Sequence, residues 1–305
     1  MKERIHYTQC PVCNSMAIKN VLEVKDHTVS AELFTIAECG SCSLRFTQDV
    51  PDQNSIGPYY KSENYISHTN TDTGVINKLY HFVRKITIAG KRKLIEKNTG
   101  MKTGTLLDAG SGIGSFVNEM KQHGWEATGL EPDADARKIA EELYGLELAD
   151  TEQFYQLPDG HFDAITLWHV LEHVHYLQNY VQQLKNLLKD NGKLFIAVPN
   201  YTSADAKRYK WNWAAYDVPR HLYHFSPRSM QILMERNGLR ILQLKPMWYD
   251  SFYVSLLSSK YTNARLPDSQ GKISWPAALW YGFRSNINAL ADKKKCSSVI
   301  YVIGK

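Results

Sequence analysis

The chain has 305 residues, a length that corresponds to one large domain or to one domain with attachments. Apolar residues make up 43% of the sequence, which is enough to fill a core and excludes general disorder. The 36 basic and 31 acidic residues give a net charge of +5, a mild excess that does not by itself indicate a nucleic-acid partner.

The amino-terminal residues are charged rather than apolar, so the sequence predicts no signal peptide. No apolar run approaches the roughly 18 residues of a membrane-spanning helix. We therefore expect a soluble, cytoplasmic protein without a transmembrane segment. Four of the five cysteines form two close pairs, and in a reducing compartment such pairs indicate a metal site rather than disulfides.

Residues 1–48 are predicted to form a small zinc-ribbon-like module. Each cysteine pair, Cys10 with Cys13 and Cys39 with Cys42, can place two thiolates on one side of a turn. Four thiolates form a closed tetrahedral zinc site, so we expect a structural Zn²⁺ that takes no part in catalysis. Four reduced thiols without a metal are the alternative. The alternating sequence of residues 29–36 predicts a strand between the pairs.

Residues 49–100 are predicted to be a polar connector that ends in a helix over residues 79–96. From residue 101 to residue 305, strand patterns alternate with helix patterns. Strands are predicted at residues 105–108, 126–131, 146–149, 162–168, 193–198, 239–244 and 298–303. Helices are predicted at residues 115–123, 134–144 and 177–189, and a further helix begins after the cap residue Ser226 with Pro227 in its first position. Two segments, 200–225 and 246–296, interrupt the alternation and are treated as insertions.

This alternation predicts an α/β fold, with a Rossmann-like parallel sheet and helices on both faces. Ligands of such sheets bind beyond the carboxyl ends of the strands. Residues at those ends are therefore the candidates for a functional site.

The first such strand end carries a glycine-rich turn. Asp108 ends the strand, and Gly110, Gly112 and Gly114 follow in a G-x-G-x-G pattern that leads into a helix. Glycines allow a backbone to approach a ligand closely. Glu131 ends the next strand and can accept both hydroxyls of a ribose, while Asp108 suits a ligand amino group. The turn points to S-adenosylmethionine (SAM), which has no phosphate, rather than to a dinucleotide; a tight turn beside an incidental acid is the alternative.

Residues 108–114, Glu131 and residues 168–174 together resemble class I SAM-dependent methyltransferases, and the resemblance covers about residues 100–245 and the last strand. It implies that the acid after strand three, Asp150, contacts the adenine, with Thr151 or Glu152 as alternatives. It also implies that the SAM pocket is lined by Trp168, His169 and Pro132.

A methyltransferase domain with an amino-terminal zinc module resembles two groups of enzymes. These are the deoxysugar C-methyltransferases and the small-molecule methyltransferases encoded with bacterial surface-polysaccharide genes. In the first group, tyrosines near the end of the zinc module help to close the SAM pocket. Residues 58–62, which include Tyr59 and Tyr60, occupy a comparable place here together with Tyr65, and ordinary linker packing is the alternative.

Methyl transfer from a sulfonium usually needs a base that takes the proton of the acceptor. Histidine suits this role near neutral pH. His173 follows the fourth strand, and His221 and His224 lie in the loop after the fifth, so these three are the candidate bases. In the same loop, Arg220 could hold an anionic substrate group or pair with an internal acid. Trp213, like Trp211, could cover the substrate or only pack.

The sequence thus predicts a SAM-dependent methyltransferase with a small-molecule acceptor, and a nucleotide-linked sugar or glycan precursor is the first choice. The alternatives are a quinone or lipid acceptor that uses the aromatic insertion at residues 246–296, an RNA acceptor, and a non-catalytic SAM-binding interaction protein. We expect no nucleic-acid partner, because residues 1–48 hold about equal numbers of acids and bases and few aromatic residues. The insertion could also form a homodimer interface.

Overall fold

A computed structural model describes residues 4–61, 75–263 and 275–305. Parts of the predicted connector and of the predicted insertion at residues 246–296 therefore lie outside the described residues. The strands are β1 Arg4–Ile5, β2 Ile18–Lys25, β3 Leu33–Cys39, β4 Arg45–Thr47, β5 Val50–Pro51, β6 Thr105–Ala109, β7 Glu126–Leu130, β8 Phe162–Trp168, β9 Leu188–Pro199, β10 Tyr223–His224, β11 Arg240–Pro246 and β12 Ser298–Gly304. The α-helices are α1 Val75–Thr99, α2 Ser115–Gln122, α3 Ala134–Tyr144, α4 Leu177–Leu187, α5 Ala204–Tyr209, α6 Pro227–Arg236, α7 Asp250–Asn263 and α8 Trp275–Ala291.

The central sheet has six strands in the order β11-β12-β9-β8-β6-β7, which confirms the predicted Rossmann-like α/β fold. Strands β7, β6, β8 and β9 are parallel, as the alternation with helices predicts. The sheet is nevertheless mixed, because β12 runs antiparallel to both of its neighbours, β9 and β11. The strand predicted at residues 146–149 is reduced to one bridge between Ala149 and Leu130.

A second sheet joins the cysteine-bearing segment to the rest of the chain. Strands β2, β3 and β4 form an antiparallel meander, and β10 from the loop after β9 pairs with β4. The strand predicted at residues 29–36 is interrupted, because residues 26–30 form a turn instead. The Asp26 carboxylate closes this turn by accepting the backbone N–H groups of Thr28, Val29 and Ser30. A boundary at residue 48 remains a prediction.

The buried core is continuous between these two sheets. Val12, Leu44 and Phe46 of the amino-terminal segment belong to the same buried cluster as Leu184 of α4 and Leu222. Side chains of this kind gain stability from leaving water wherever they lie in the chain. The amino-terminal segment therefore shares its buried core with the part of the chain that carries the central sheet.

The carboxyl-terminal half contains helix α6 and the packed pair of helices α7 and α8. Helix α6 begins as predicted: the Ser226 hydroxyl accepts the Ser229 backbone N–H in a reciprocal capping box, with Pro227 in the first turn. The insertion forms α7 and α8, which pack together where Gly282 meets Phe252. Within the described residues, no helix combines the length and apolar character that crossing a bilayer requires.

Candidate functional site

The glycine turn lies at the carboxyl end of β6, in the centre of the sheet. Gly110, Gly112 and Gly114 all have positive φ angles, of +77°, +53° and +75°. A Cβ atom on Gly110 would lie 2.4 Å from the Cγ2 atom of Val170, so a larger residue does not fit. A Cβ atom on Gly112 would meet nothing within 4 Å. The backbone at Gly112 therefore borders open space that a ligand could occupy.

Glu131 is placed against this turn by the end of β7. Its carboxylate is buried and accepts the backbone N–H of Gly112 at 2.7 Å and that of Asp133 at 3.1 Å. An ionised carboxylate has about four lone-pair positions, so two remain for further donors. Pro132, the next residue, is exposed beside it. This arrangement suits a pair of adjacent hydroxyl groups, as in a ribose.

Asp108 lies near the end of β6, directly before the turn, and is fully buried. Its carboxylate accepts the Thr166 hydroxyl at 2.6 Å. Burial raises the pKa of Asp108 to about 7, although the Thr166 hydrogen bond and the charge of Lys91 oppose that shift. A cationic ligand group beside Asp108 would favour the ionised form.

Asp150 follows the short stretch that bridges to β7, where the resemblance places the adenine contact. One carboxylate oxygen accepts the Glu152 backbone N–H, and the other pairs with Arg137 at 2.8 Å. Arg137 also donates to the Glu131 carbonyl oxygen at 2.6 Å. Asp150 thus helps to hold the end of β7 in place beside the predicted adenine position.

The residues after β8 border the same end of the sheet. The Trp168 ring meets Phe116 edge-on, and the Lys91 ammonium lies 4.2 Å from its centroid. His169 has a positive φ angle of +59° and lies between two acids. Its Nδ1 atom is 3.3 Å from Glu172, and its Nε2 atom is 2.7 Å from Asp250 at the start of α7. Burial lowers the pKa of His169, but the two carboxylates outweigh it and raise the pKa to about 10.

Glu172, His173 and His221 form a compact cluster next to His169. Each of the three offers one ligand atom, and these atoms all lie within 4.8 Å of one another. One oxygen of the Glu172 carboxylate, Oε2, is buried and has no hydrogen-bond partner among the described residues. The cluster could therefore take up a proton or hold a divalent cation.

Backbone carbonyl groups orient both histidine rings. Nδ1 of His173 lies 3.0 Å from the Arg220 carbonyl oxygen and 3.0 Å from the Tyr60 hydroxyl, and Nδ1 of His221 lies 2.8 Å from the Ala215 carbonyl oxygen. A proton on each Nδ1 atom satisfies these carbonyl groups and leaves Nε2 as an acceptor. Burial, together with the charge of His221, lowers the pKa of His173 to about 4, so its ring is neutral near pH 7.

Two predicted site residues contact groups outside the histidine cluster, and their roles stay predictions. The His224 ring is buried with Nε2 3.1 Å from the Thr47 hydroxyl and meets Tyr216 edge-on, because β10 pairs with β4 and carries the ring into the second sheet. The buried Tyr59 donates to Glu32 at 3.0 Å. Its neighbour Tyr60 contacts His173 instead, because adjacent residues of one helical turn point in different directions.

Arg220 is an internal ion-pairing residue, not an anion-binding one. Its guanidinium is fully buried, 2.7 Å from Asp217 and 3.0 Å from Asp26. Trp213 is likewise a packing residue, since it is buried and donates to Asp205 at 2.8 Å. Trp211 is 41% exposed.

Sequence reasoning missed two groups at the site, Glu172 and Asp250. Glu172 stands directly before His173, and this adjacency was the one signal available. Tyr60 belongs to the tyrosine segment predicted near the SAM pocket, and Tyr65 of the same prediction lies outside the described residues. Asp250 lies in the distant insertion, and no local pattern links it to His169.

The four paired cysteines lie close together, with every sulfur atom within 4.8 Å of the others. Two equivalent turns hold them: the Asn14 N–H donates to the Cys10 carbonyl, and the Ser43 N–H donates to the Cys39 carbonyl. Such a set of four thiols, of which three are buried and that of Cys13 is half-buried, fits the coordination of a tetrahedral Zn²⁺ ion. Cys296 is buried apart from them.

Comparison with known proteins gives a family match over the central part of the chain. The family model described as "Methyltransferase domain" matches residues 81–244, more than half of the 305 residues. The match includes the glycine turn, Glu131 and the histidine cluster.

Curated relatives share this region. The ubiquinone biosynthesis O-methyltransferase of Nitrosococcus oceani is 30% identical over 162 residues, which is 48% of this chain and 67% of that protein. The mitochondrial enzyme of Mus musculus is 26% identical over 170 residues, 50% of this chain and 45% of that protein. The chain thus spans about half the length of the mammalian relative.

The similar solved structures have lower sequence identity to this chain than the curated relatives have. A SAM-dependent methyltransferase from Archaeoglobus fulgidus has 22% sequence identity and a TM-score of 0.48, over 72% of this chain and 93% of that one. Magnesium protoporphyrin IX methyltransferase from Synechocystis, solved with bound SAH, has 16% identity and a TM-score of 0.49, over 64% of this chain and 92% of that one.

Proposed function

The chain belongs to the methyltransferase domain family, and from that premise we propose that it transfers the methyl group of SAM to a small-molecule acceptor. The observation that carries the proposal is that two buried acids, Asp108 and Glu131, lie at the carboxyl ends of neighbouring parallel strands, next to a turn whose backbone is open at Gly112.

The residues around this turn have distinct binding roles in the proposal. Glu131 accepts the ribose hydroxyls, and Asp108 accepts the amino group of the methionine part, directly or through water. The adenine lies near Asp150, and Pro132, Trp168 and His169 border the pocket. SAM supplies a sulfonium methyl group, and the protein aligns it with the acceptor atom.

A histidine of the cluster receives the proton that the acceptor loses. Nε2 of His173 or of His221 is available because each Nδ1 atom is engaged by a backbone carbonyl. The Glu172 carboxylate stabilises the imidazolium that forms, because its buried Oε2 atom has no other partner among the described residues. Tyr60 positions the His173 ring through its hydroxyl.

Two acceptor classes remain in the proposal. The names of the curated relatives favour a hydroxyl group on a quinone precursor, and these relatives are 26% and 30% identical. The aromatic insertion also favours an apolar acceptor. A nucleotide-linked sugar or glycan precursor remains the prediction made from the amino-terminal module.

We further propose that Cys10, Cys13, Cys39 and Cys42 hold a structural Zn²⁺ ion. Four thiolates leave no open coordination position, so this metal would take no part in methyl transfer. Its role would be to stabilise the two turns that support β3 and β4.

The test combines binding with turnover. Calorimetry with SAM and with its demethylated product should give saturable binding, and an assay of SAM consumption should then compare quinone precursors with nucleotide-linked sugars. Absence of binding at millimolar SAM would refute the proposal. Binding without turnover on any acceptor would instead favour a SAM-binding interaction protein, and retention of bulk RNA in a filter assay would favour an RNA acceptor.

A further inference from the structure

Helix α8 buries small residues and exposes its large apolar ones. Its buried positions recur at helical spacing and carry only small residues, Ala278, Gly282, Ser285 and Ala289. Gly282 lies against α7, where a Cβ atom would be 2.8 Å from the ring of Phe252. The large apolar side chains of α8 therefore cannot all face the protein.

Those large side chains lie on the outer face of α8. Six of them are between 47% and 75% exposed: Trp275, Leu279, Trp280, Phe283, Ile287 and Leu290. We call these six residues the α8 apolar face. Contiguous exposed apolar surface of this kind is rare in monomeric soluble proteins and marks an interaction site.

Basic residues lie on α8 and directly after its carboxyl end. Arg284 is the one charged residue of α8, and Lys293, Lys294 and Lys295 follow its end. The middle of α8 and its carboxyl end are therefore positively charged.

The acids of the same region are already engaged. Asp250 pairs with His169, and Asp205 is buried with hydrogen bonds to Trp213 and Ser285. Asp292 caps the turn that begins at Lys293. An apolar face rich in tryptophan, with basic residues on and directly after the same helix and engaged acids, is complementary to an anionic lipid surface.

A second copy of the chain fits the α8 apolar face less well. In a two-fold dimer that packs α8 against its copy through the middle of the helix, Arg284, which lies near that middle, would approach its own copy. Like charges held close in an interface are unfavourable.

We propose that the α8 apolar face binds the surface of an anionic lipid bilayer, with α8 lying in the plane of the interface. This inference goes beyond methyl transfer, because it requires neither SAM nor turnover. Helix α7 connects the surface to the site, since its first residue, Asp250, contacts His169. Bilayer binding would place the site next to the membrane.

The test is co-sedimentation of the full chain with vesicles of phosphatidylcholine alone and of phosphatidylcholine mixed with phosphatidylglycerol. We expect binding to the anionic vesicles that weakens as salt is raised. The double variant Trp280→Ser, Phe283→Ser should weaken this binding about tenfold or more, because two interfacial aromatic side chains are lost. The control variant Met16→Ser, Leu143→Ser removes two exposed apolar side chains elsewhere and should bind as the unmodified chain does.

Charge is tested separately. Lys293→Glu with Lys294→Glu should also weaken binding about tenfold or more, because each basic residue near an anionic surface contributes about fivefold. Lys19→Glu with Lys121→Glu, at exposed positions elsewhere, should have little effect. Equal binding to both vesicle types, unchanged binding by the aromatic variant, no vesicle binding, or a dimer that the aromatic variant dissociates would each overturn the proposal.

Discussion

Two acids flank the same turn, yet their surroundings give them different properties. Glu131 accepts two backbone N–H groups, which favour its ionised form and oppose the effect of burial. Asp108 accepts a hydroxyl group in a fully buried position, and burial dominates its titration. The Glu131 carboxylate can therefore accept hydroxyl donors, whereas the Asp108 carboxylate would be ionised more fully beside a cationic group.

Replacing Glu131 with alanine should weaken SAM binding about tenfold to hundredfold, because a hydrogen bond to a charged group contributes roughly 1.5–3 kcal/mol. Calorimetry measures the change. Glu126→Ala, at the exposed start of the same strand, is the matched control and should leave the affinity unchanged. An unaltered affinity in the Glu131 variant would show that the ribose lies elsewhere.

Asp108 should make SAM binding depend on pH. With a pKa of about 7 in the unliganded protein, about one tenth of the Asp108 carboxyl groups is ionised at about pH 6 and about nine tenths at about pH 8. Because the amino group of SAM is cationic, its affinity should rise about tenfold over this range. The Asp108→Asn variant should bind SAM weakly, with an affinity that changes little with pH. If its SAM affinity rose with pH as steeply as that of the unmodified chain, Asp108 would not be the group that binds the SAM amino group.

Ionisation of Asp108, which should favour SAM binding, should lower the stability of the unliganded fold. The pKa of an aspartate in an unfolded chain is about 4, which is below the pKa of about 7 that Asp108 has in the folded protein. The contribution of Asp108 to folding is therefore fully present below about pH 4 and is lost as pH rises through about 7. Bound SAM should reduce this loss, because its amino group would stabilise the ionised form.

At the scale of elements, the loop after β9 is held by a buried ionic network. The Arg220 guanidinium links Asp217 in this loop to Asp26 in the turn between β2 and β3. Burial raises the pKa of Asp26, but hydrogen bonds from Ser30 and Arg220 outweigh it and lower the pKa to about 2. The same loop supplies His221, so this network positions part of the candidate site.

Removal of the Arg220 guanidinium should therefore lower the stability of the fold. Arg220→Leu should lower the free energy of unfolding by about 3–5 kcal/mol, because it leaves the buried Asp26 carboxylate without its cationic partner. Lys138→Leu, which breaks an exposed pair with Glu142, is the control and should cost about 0–1 kcal/mol. Urea unfolding gives both values, and similar values for the two variants would contradict a structural role for Arg220.

At the scale of the whole molecule, the cysteine segment and the catalytic domain share a sheet and a core. Strand β10 completes the sheet of β2, β3 and β4. The Gln178 side chain of α4 also donates to the Pro11 carbonyl at 2.7 Å, beside the first cysteine pair. Loss of order at the cysteines should therefore affect the entire chain.

Cys39→Ser should abolish binding of one zinc ion per chain and lower the melting temperature by about 5 °C or more in a single transition. Cys296→Ala removes the cysteine outside the cluster and should retain the metal. Metal analysis and calorimetric scanning provide the two measurements. Two separate transitions, with the second unchanged in the Cys39 variant, would indicate an independent module.

The sequence by itself determined the features that depend on neighbours along the chain. The glycine turn after Asp108, the capped start of α6 at Ser226 and the order of strands and helices are local, since propensity, capping and periodicity act over a few residues. The two cysteine pairs were visible for the same reason. These features were sufficient for the fold class and for the resemblance to methyltransferases.

Tertiary structure decided which distant side chains meet. His173 and His221 come together because β8 and β9 end at the same edge of the sheet, whereas His224, three residues after His221, is carried into the second sheet by its pairing with β4. Arg220 finds Asp26 far away in the sequence, and His169 finds Asp250 in the insertion. Such contacts depend on strand pairing and on the burial of a shared core, which local sequence patterns do not encode.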